Sequence, residues 1–105
     1  MIAYLSLFTL QSQVGPDTLE DIMAATRVHL LRVPEVLAVK TGKRVKPSDP
    51  FDWFIYLEVE SMDKLAICLD DPNYIKFRES FLKPNVETQS STAFEMEPRK
   101  DLRYS

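Results

Sequence analysis

The alternation of apolar and polar residues is clearest between residues 51 and 60, and it predicts a β-strand there. One face of this strand carries Phe51, Trp53, Ile55, Leu57 and Val59. The opposite face carries Asp52, Phe54, Tyr56, Glu58 and Glu60. A period of two with aromatic and β-branched residues is typical of a half-buried strand. Because two aromatic rings lie on the otherwise polar face, we expect a second protein surface to cover it.

Three further segments are predicted to be strands of the same sheet. In residues 2–10, one face carries Ile2, Tyr4, Ser6, Phe8 and Leu10, and the other carries Ala3, Leu5, Leu7 and Thr9. Because both faces are mostly apolar, we expect this strand to be central and covered on both sides. Residues 36–46 and 90–97 predict the remaining two strands, the last with Thr92, Phe94 and Met96 on one face.

Helical periodicity follows the loop at residues 11–16. Asp17 is predicted to be the N-cap, with Glu20 completing a capping box, and Pro34 is expected to end the helix. The apolar stripe that faces the core consists of Leu19, Ile22, Met23, Thr26, Leu30 and Val33. His29 lies at the edge of this stripe, within reach of the space between helix and sheet.

Two shorter helices are predicted after residue 60. Ser61 is expected to cap a helix over residues 62–70, with Leu65 and Leu69 facing inward. Asp71 is expected to cap the next helix, with Pro72 at its first position. The buried stripe of that helix is Tyr74, Phe77 and Phe81, and Pro84 and Asn85 end it.

The order β-α-β-β-α-α-β predicts an α+β fold of the ferredoxin-like type with a four-stranded antiparallel sheet. A chain of 105 residues is long enough for one domain with its own core. We assign residues 1–97 to this domain and residues 98–105 to a charged C-terminal tail that we expect to be loosely held.

Composition and charge narrow the classes of function. The net charge of −3 argues against nucleic-acid binding, which requires a basic surface. The apolar runs are too short to cross a membrane, and the first ten residues alternate like a strand rather than a signal peptide. The single cysteine indicates a reducing, cytoplasmic location. With one histidine and two glycines, we expect neither a metal site nor a phosphate-binding loop, and we expect no cofactor.

The ordered segments of the chain resemble the stress-responsive dimeric α/β-barrel (Dabb) family over about residues 1–97. These segments are MIAYLSLFTL, RVPEVLAVKTGKRV, FDWFIYLEVESMDKLAICLDDPNYIKF and LKPNVETQSSTAFEME. The resemblance implies a homodimer in which two four-stranded sheets pair face to face and the helices lie outside. It implies that the dimer face holds Leu5, Leu7, Phe54 and Tyr56.

The resemblance also implies a pocket between the sheet and the helices, as in the family's plant polyketide cyclase, olivetolic acid cyclase. The first-strand and third-strand histidines of that cyclase fall at Tyr4 and Trp53, and the tyrosine of its helix falls at Cys68. The family's His-Pro-x-His segment reads Asp71-Pro72-Asn73-Tyr74, so its second histidine falls at Tyr74. Because none of these four chemical identities is retained, the cyclase mechanism does not transfer directly.

Three residues are the candidates for catalysis. His29 is the only side chain whose ordinary pKa suits a general base near neutral pH. Tyr4 and Tyr74 are phenols that can donate hydrogen bonds to a developing enolate or oxyanion. The residues that we expect to line the substrate site are Ser6, Thr26, Trp53, Ile55, Cys68, Phe77 and Phe81. Each candidate could instead have a purely structural role. The aromatic rings could pack in the core, the hydroxyls could bond to the backbone, and the histidine could be half-buried and bonded to a carbonyl or to water.

Three functions are considered, and the first two belong to different classes. The first is a cofactor-independent enzyme of secondary metabolism that cyclises a small aromatic or polyketide-like substrate by an aldol, Claisen, dehydration or shape-directed step. The second is a non-catalytic, stress-related dimer or a protein that binds a small ligand, in which Trp53 and Tyr4 fill the pocket. A third function known in dimeric barrels of this type is haem degradation, with the sole histidine as an axial ligand.

Overall fold

The computed structural model describes residues 1–98, and it confirms the ferredoxin-like α+β architecture. Residues 99–105, which include all but the first residue of the predicted tail, lie outside the described residues. The elements are β1 (Ile2–Leu10), α1 (Pro16–Leu30), β2 (Ala38–Lys43), β3 (Trp53–Val59), α2 (Met62–Asp70), α3 (Pro72–Phe77), a π-helical turn (Arg78–Leu82), α4 (Lys83–Asn85) and β4 (Val86–Glu95).

The sheet has the strand order β2-β3-β1-β4, and all neighbouring strands are antiparallel. The prediction that β1 is a central strand is therefore confirmed. Phe8 of β1 lies opposite Trp53 of β3 and Gln89 of β4. This register also places Ser6 opposite Ile55. The face of β1 that carries Ser6 and Phe8 and the face of β3 that carries Trp53 and Ile55 therefore lie on the same side of the sheet.

The hydrophobic core lies between that side of the sheet and the helices. The sheet contributes Ile2, Phe8, Trp53, Ile55, Leu57 and Val59. The helices and the turn after α1 contribute Leu19, Ile22, Met23, Leu30, Val33, Leu65, Cys68, Tyr74, Phe77 and Leu82. Complete burial of one large aliphatic or aromatic side chain stabilises the fold by about 1.5–3 kcal/mol, so this layer accounts for the attachment of the helices to the sheet.

The predicted start and end of α1 are both wrong. The N-cap is Gly15, which makes no side-chain hydrogen bond, and Pro16 occupies the first turn. The fixed φ of proline suits the first helical position, so the helix starts before Asp17, and no capping box forms there. At the other end, α1 stops at Leu30, and the N–H of Val33 bonds to the carbonyl of Leu30 in a tighter turn.

The predicted caps of α2 and α3 are confirmed. The hydroxyl of Ser61 accepts a hydrogen bond from the N–H of Lys64 at 3.2 Å. The carboxylate of Asp71 accepts one from the N–H of Asn73 at 2.8 Å. Both are side-chain oxygens that satisfy otherwise unpaired N–H groups in the first turn of a helix.

The last helical segment contains a π-helical turn just before its end. The N–H of Lys83 bonds to the carbonyl of Arg78, five residues earlier. Pro84 has no N–H to continue an α-helical ladder, and the side-chain amide of Asn85 donates to the carbonyl of Phe81 at 2.8 Å. The helical segment ends at Asn85, as predicted. However, β4 begins at Val86, four residues before the predicted start.

Candidate functional site

Two tyrosines lie together on the helix side of the sheet. Tyr4 is half-buried on β1, and Tyr74 of α3 is only 7% exposed. Burial raises the pKa of Tyr74 well above its ordinary value, and the neighbouring Tyr4 and Cys68 raise it further, while Arg78 opposes this. Tyr74 is therefore a neutral hydrogen-bond donor at physiological pH. Of the three predicted catalytic residues, Tyr74 lies in the core between the sheet and the helices, and Tyr4 packs against that core.

Cys68 is completely buried in α2, near Tyr74. Burial raises the pKa of its thiol to about 11, with smaller contributions from Asp71 and Glu35. Because the thiolate is the nucleophilic form of cysteine, Cys68 is suited to line an apolar site and not to attack a substrate.

His29 lies at the end of α1 among aromatic rings. Its ring centroid is 6.1 Å from that of Phe77 and 5.5 Å from that of Phe81, and those two rings are 5.8 Å apart. Its Nδ1 is buried and has no hydrogen-bond partner among residues 1–98. Burial lowers the pKa of His29 below 6.5, and the positive charges of Arg32 and Lys76 lower it further. The imidazole is therefore neutral near pH 7 and can accept a proton.

The two buried hydroxyls predicted for the site have different partners. The hydroxyl of Thr26 donates to the carbonyl of Ile22, one turn earlier in α1, at 2.8 Å. This bond satisfies Thr26 inside its own helix. The hydroxyls of Ser6 and Ser91 are hydrogen-bonded at 2.7 Å, and the amide of Gln89 donates to Ser91 at 2.9 Å. Ser6 is therefore the buried end of a polar chain that leads outward along β4.

Trp53 forms an aromatic stack with Phe8. Their ring centroids are 4.4 Å apart, the planes differ by 21°, and Trp53 is only 2% exposed. Its indole Nε1 is buried without a hydrogen-bond acceptor among the described residues. Ile55, the next residue on this face of β3, is also buried.

Two clefts flank this interior. The cleft of about 490 Å³ lies between the π-helical turn and the start of β4, and its walls include Arg78, Lys83 and Gln89. The second, of about 320 Å³, lies between the first turn of α1 and the sheet, and its walls include Lys43 and Asp52. We call them the β4 cleft and the α1 cleft. Neither is lined by any of the ten residues predicted for the site.

The sequence interpretation missed Phe8 and Ser91 as partners of predicted site residues. Phe8 shares a face with Ser6, and this was visible in the alternation of β1. Its contact with Trp53 depends on the register between β1 and β3, which alternation alone does not define. Ser91 was placed in the last strand, but its bond to Ser6 likewise depends on strand pairing.

The opposite face of the sheet carries the predicted aromatic residues. Leu5, Leu7, Phe54 and Tyr56 are each half-buried there. The ammonium of Lys40 lies 5.5 Å from the ring centroid of Tyr56, whose hydroxyl donates to Sδ of Met96 at 3.6 Å. In the single chain, Phe94 on the same face is 51% exposed. This face is apolar enough to pack against another protein surface.

The fold and this arrangement define a ferredoxin-like protein whose apolar interior beneath the helices is lined by aromatic rings and contains a few buried hydroxyl groups. The sequence matches the Stress responsive A/B Barrel Domain (Dabb) family over residues 2–98. The chain belongs to this family. No curated protein matches the sequence significantly.

Several solved structures share the fold. A dimeric ferredoxin-like protein of unknown function from Thermobifida fusca is 18% identical with a TM-score of 0.81, covering 90% of each chain. A Dabb protein from Mesorhizobium loti is 14% identical with a TM-score of 0.79, covering 92% of this chain and 97% of that one. The hydroxynitrile lyase of Passiflora edulis is 16% identical with a TM-score of 0.79, covering 94% and 95%. Identities this low show the fold alone.

Within residues 1–98, no helix has both the length and the apolar composition needed to cross a bilayer. No three His, Cys, Asp or Glu side chains in this range come together in a way that could hold a metal ion.

Proposed function

We propose that the protein is a homodimeric enzyme that acts on a small molecule without a cofactor, and that its reaction centre lies between the sheet and the helices. The substrate class that we propose is a polyketide-like carbonyl compound that closes a ring by an aldol, Claisen or dehydration step. The observation that carries this proposal is the burial of Tyr74 between the sheet and the helices, with the half-buried Tyr4 near enough to raise its pKa.

The chemistry of such a ring closure matches what these residues offer. Removal of a proton next to a carbonyl creates negative charge on the carbonyl oxygen, and phenol O–H groups stabilise that charge by hydrogen bonding. The neutral imidazole of His29 is the group that accepts the proton. The apolar walls hold a flexible substrate in the folded conformation that leads to the ring.

The packing of α1 against α3 supports a common location for base and donors. His29 contacts the ring of Phe77, and Tyr74 precedes Phe77 by three residues in the same helix. Residues three apart lie on one face of a helix. We therefore propose that His29 and Tyr74 face the same interior space, with Phe77 and Phe81 forming its wall.

We also propose that the exposed sheet face is the dimer interface. The half-buried Leu5, Leu7, Phe54 and Tyr56 supply the apolar surface that a sheet-on-sheet contact requires. The structural neighbour from Thermobifida fusca is described as dimeric, and the neighbour from Passiflora edulis is a lyase. The first description supports a dimer, and the second supports an enzyme that acts on small molecules.

The test uses a matched pair of tyrosine variants. Turnover of a panel of β-ketoacyl thioesters is measured for the wild type, Tyr74→Phe, His29→Ala and Tyr56→Phe. We expect kcat/KM to fall at least about tenfold in the first two variants, because each loses a proton-transfer or oxyanion-stabilising group. Tyr56→Phe removes a phenol from the other face of the sheet and should retain activity. Unchanged rates in both Tyr74→Phe and His29→Ala would refute the assignment.

A non-catalytic dimer that binds a small ligand is the second candidate. It is favoured by the tight stack of Trp53 on Phe8 and by the position of the two clefts away from the proposed catalytic residues. A ligand that raises the unfolding temperature of the wild-type protein, without any turnover in the thioester panel, would favour this function over the enzyme.

A further inference from the structure

The indole N–H of Trp53 is a buried hydrogen-bond donor that nothing in the described chain satisfies. The side chain is 98% buried, and Nε1 makes no hydrogen bond to any of residues 1–98. Most buried polar groups in proteins have a partner, because burial without one forfeits the hydrogen bond that water would have made. An unpaired interior donor therefore indicates that an acceptor from outside the described residues binds there.

The pairing of the strands places Trp53 in a row of residues that extends from the α1 cleft to the β4 cleft. Across the sheet, from β2 to β4, one row on the helix side consists of Lys43, Trp53, Phe8 and Gln89. Lys43 lines the α1 cleft, and Gln89 lines the β4 cleft. Trp53 and Phe8 therefore form the middle of a row whose two end residues line the two clefts.

The side chains next to the indole are poorly suited to hold a water molecule. A buried water usually makes two to four hydrogen bonds to polar groups. The stacking partner Phe8 and the next residue on this face, Ile55, offer no polar side-chain atom. The hydroxyl of Ser6, opposite Ile55, is already hydrogen-bonded to Ser91 at 2.7 Å. An acceptor that is itself part of a larger apolar molecule suits these surroundings better than an isolated water.

We propose that the indole N–H of Trp53 binds a carbonyl oxygen of the substrate, which lies against the Phe8 ring. This inference rests on the proposed function and deepens it by defining the substrate as an uncharged carbonyl compound with a flat, apolar body. Indole nitrogen is only a donor, so it selects an acceptor. The nearest cation in the row, Lys43, is paired with Glu20 at 2.9 Å, and burial of an unpaired anionic group would be strongly unfavourable.

The chain contains a single tryptophan, so the proposal can be tested by direct observation of this group. The indole ¹⁵N–H resonance of the ¹⁵N-labelled wild-type protein is followed during titration with acetophenone. Its matched control is α-methylstyrene, in which a C=CH₂ group replaces the carbonyl. We expect acetophenone to move the indole proton downfield and to slow its exchange with solvent, and we expect α-methylstyrene to do neither.

Two variants remove the N–H donor of residue 53, and one of them keeps the shape of the bicyclic ring. Replacement of the only tryptophan by benzothienylalanine keeps a bicyclic ring and substitutes sulfur for N–H, and Trp53→Phe removes the group by ordinary mutagenesis. We expect each to bind acetophenone about tenfold more weakly than the wild type, with little change for α-methylstyrene. Phe8→Leu, which loses the stack but retains the indole, should still distinguish the two compounds.

The possible failures are distinguishable. Equal binding of both compounds to the wild type would overturn the donor role of Trp53 and leave the proposed function intact. An indole resonance that is already hydrogen-bonded and unchanged by acetophenone would mean a trapped water only, and would also overturn it. Absence of binding by either compound would refute the inference, whereas the proposed function fails only if turnover is unaffected in Tyr74→Phe and His29→Ala.

Discussion

Gly42 and Phe54 lie opposite each other on β2 and β3, and the ring of Phe54 occupies the space that a side chain at residue 42 would need. A Cβ atom built on Gly42 would be 2.8 Å from Cε1 of Phe54. The glycine is therefore required by close approach and not by backbone conformation, since its φ is not in the left-handed region. This contact defines where Phe54 lies on the proposed dimer face.

We predict that Gly42→Ala weakens dimerisation. The new methyl group displaces the Phe54 ring from its position on the sheet, and the two faces then fit each other less well. Sedimentation equilibrium should show a dissociation constant raised by about tenfold or more, since 1.4 kcal/mol of lost packing corresponds to a factor of ten.

Gly15→Ala is the matched control, because a Cβ at Gly15 meets no atom within 4 Å. We expect it to leave the dissociation constant of the dimer unchanged, although alanine is a poorer N-cap than glycine and should lower the stability of the fold by up to about 1 kcal/mol. If Gly42→Ala dimerises as tightly as Gly15→Ala, then the Phe54 face is not the interface.

Asp52 connects the ends of two strands, and its removal is predicted to destabilise the fold. Its carboxylate accepts a hydrogen bond from the N–H of Leu10 at 2.7 Å and lies 3.4 Å from the guanidinium of Arg44. Asp52→Ala leaves the Leu10 N–H without its acceptor, so we expect a loss of about 1–3 kcal/mol in urea unfolding. Arg44→Gln removes the half-exposed ion pair and an exposed hydrogen bond to the carbonyl of Asp49, and it should lose less than about 1 kcal/mol. Equal effects of the two variants would contradict this order.

The sequence predicted the buried faces well, because apolar residues that recur every two positions in a strand, or about every 3.6 positions in a helix, lie on the side that is buried. The alternation in β1 and β3 and the apolar stripe of α1 correspond to the observed core. The ends of elements were less accurate. At α1, the signals of Pro16 and Asp17 competed, and the fixed φ of proline at the first helical position prevailed.

The parts that the sequence could not define depend on pairing between distant segments. The start of β4, Glu87-Thr88-Gln89, has no apolar alternation, and its strand conformation comes from pairing with β1. The stack of Trp53 on Phe8 likewise follows from register. Thr26 is buried, as its position in the apolar stripe of α1 predicts. Its hydroxyl donates to the carbonyl of Ile22 in the same helix and not to a ligand, and the sequence pattern does not reveal this partner.

Cys68 is predicted to be unreactive in the native protein. It is completely buried, and burial raises the pKa of its thiol to about 11, so that only about one molecule in a thousand is a thiolate at about pH 8. Labelling with a coloured disulfide reagent should be slow for the folded protein and rapid after addition of urea, with one thiol per chain. Immediate labelling of the folded protein would show that the interior beside Tyr74 opens readily.

His29 is predicted to make the fold less stable in mild acid. Burial, Arg32 and Lys76 lower its pKa in the folded protein, whereas the unfolded chain has a value of about 6.5. Between the lowered pKa and 6.5 the unfolded state binds more protons, so the free energy of unfolding falls as the pH decreases through this range. The difference in urea midpoint between about pH 7.5 and pH 5.5 should be smaller in His29→Gln than in the wild type, because glutamine does not titrate. Lys76→Gln removes one neighbouring charge and should give an intermediate difference. If His29→Gln loses as much stability in acid as the wild type, then His29 is not held in its neutral form by its surroundings.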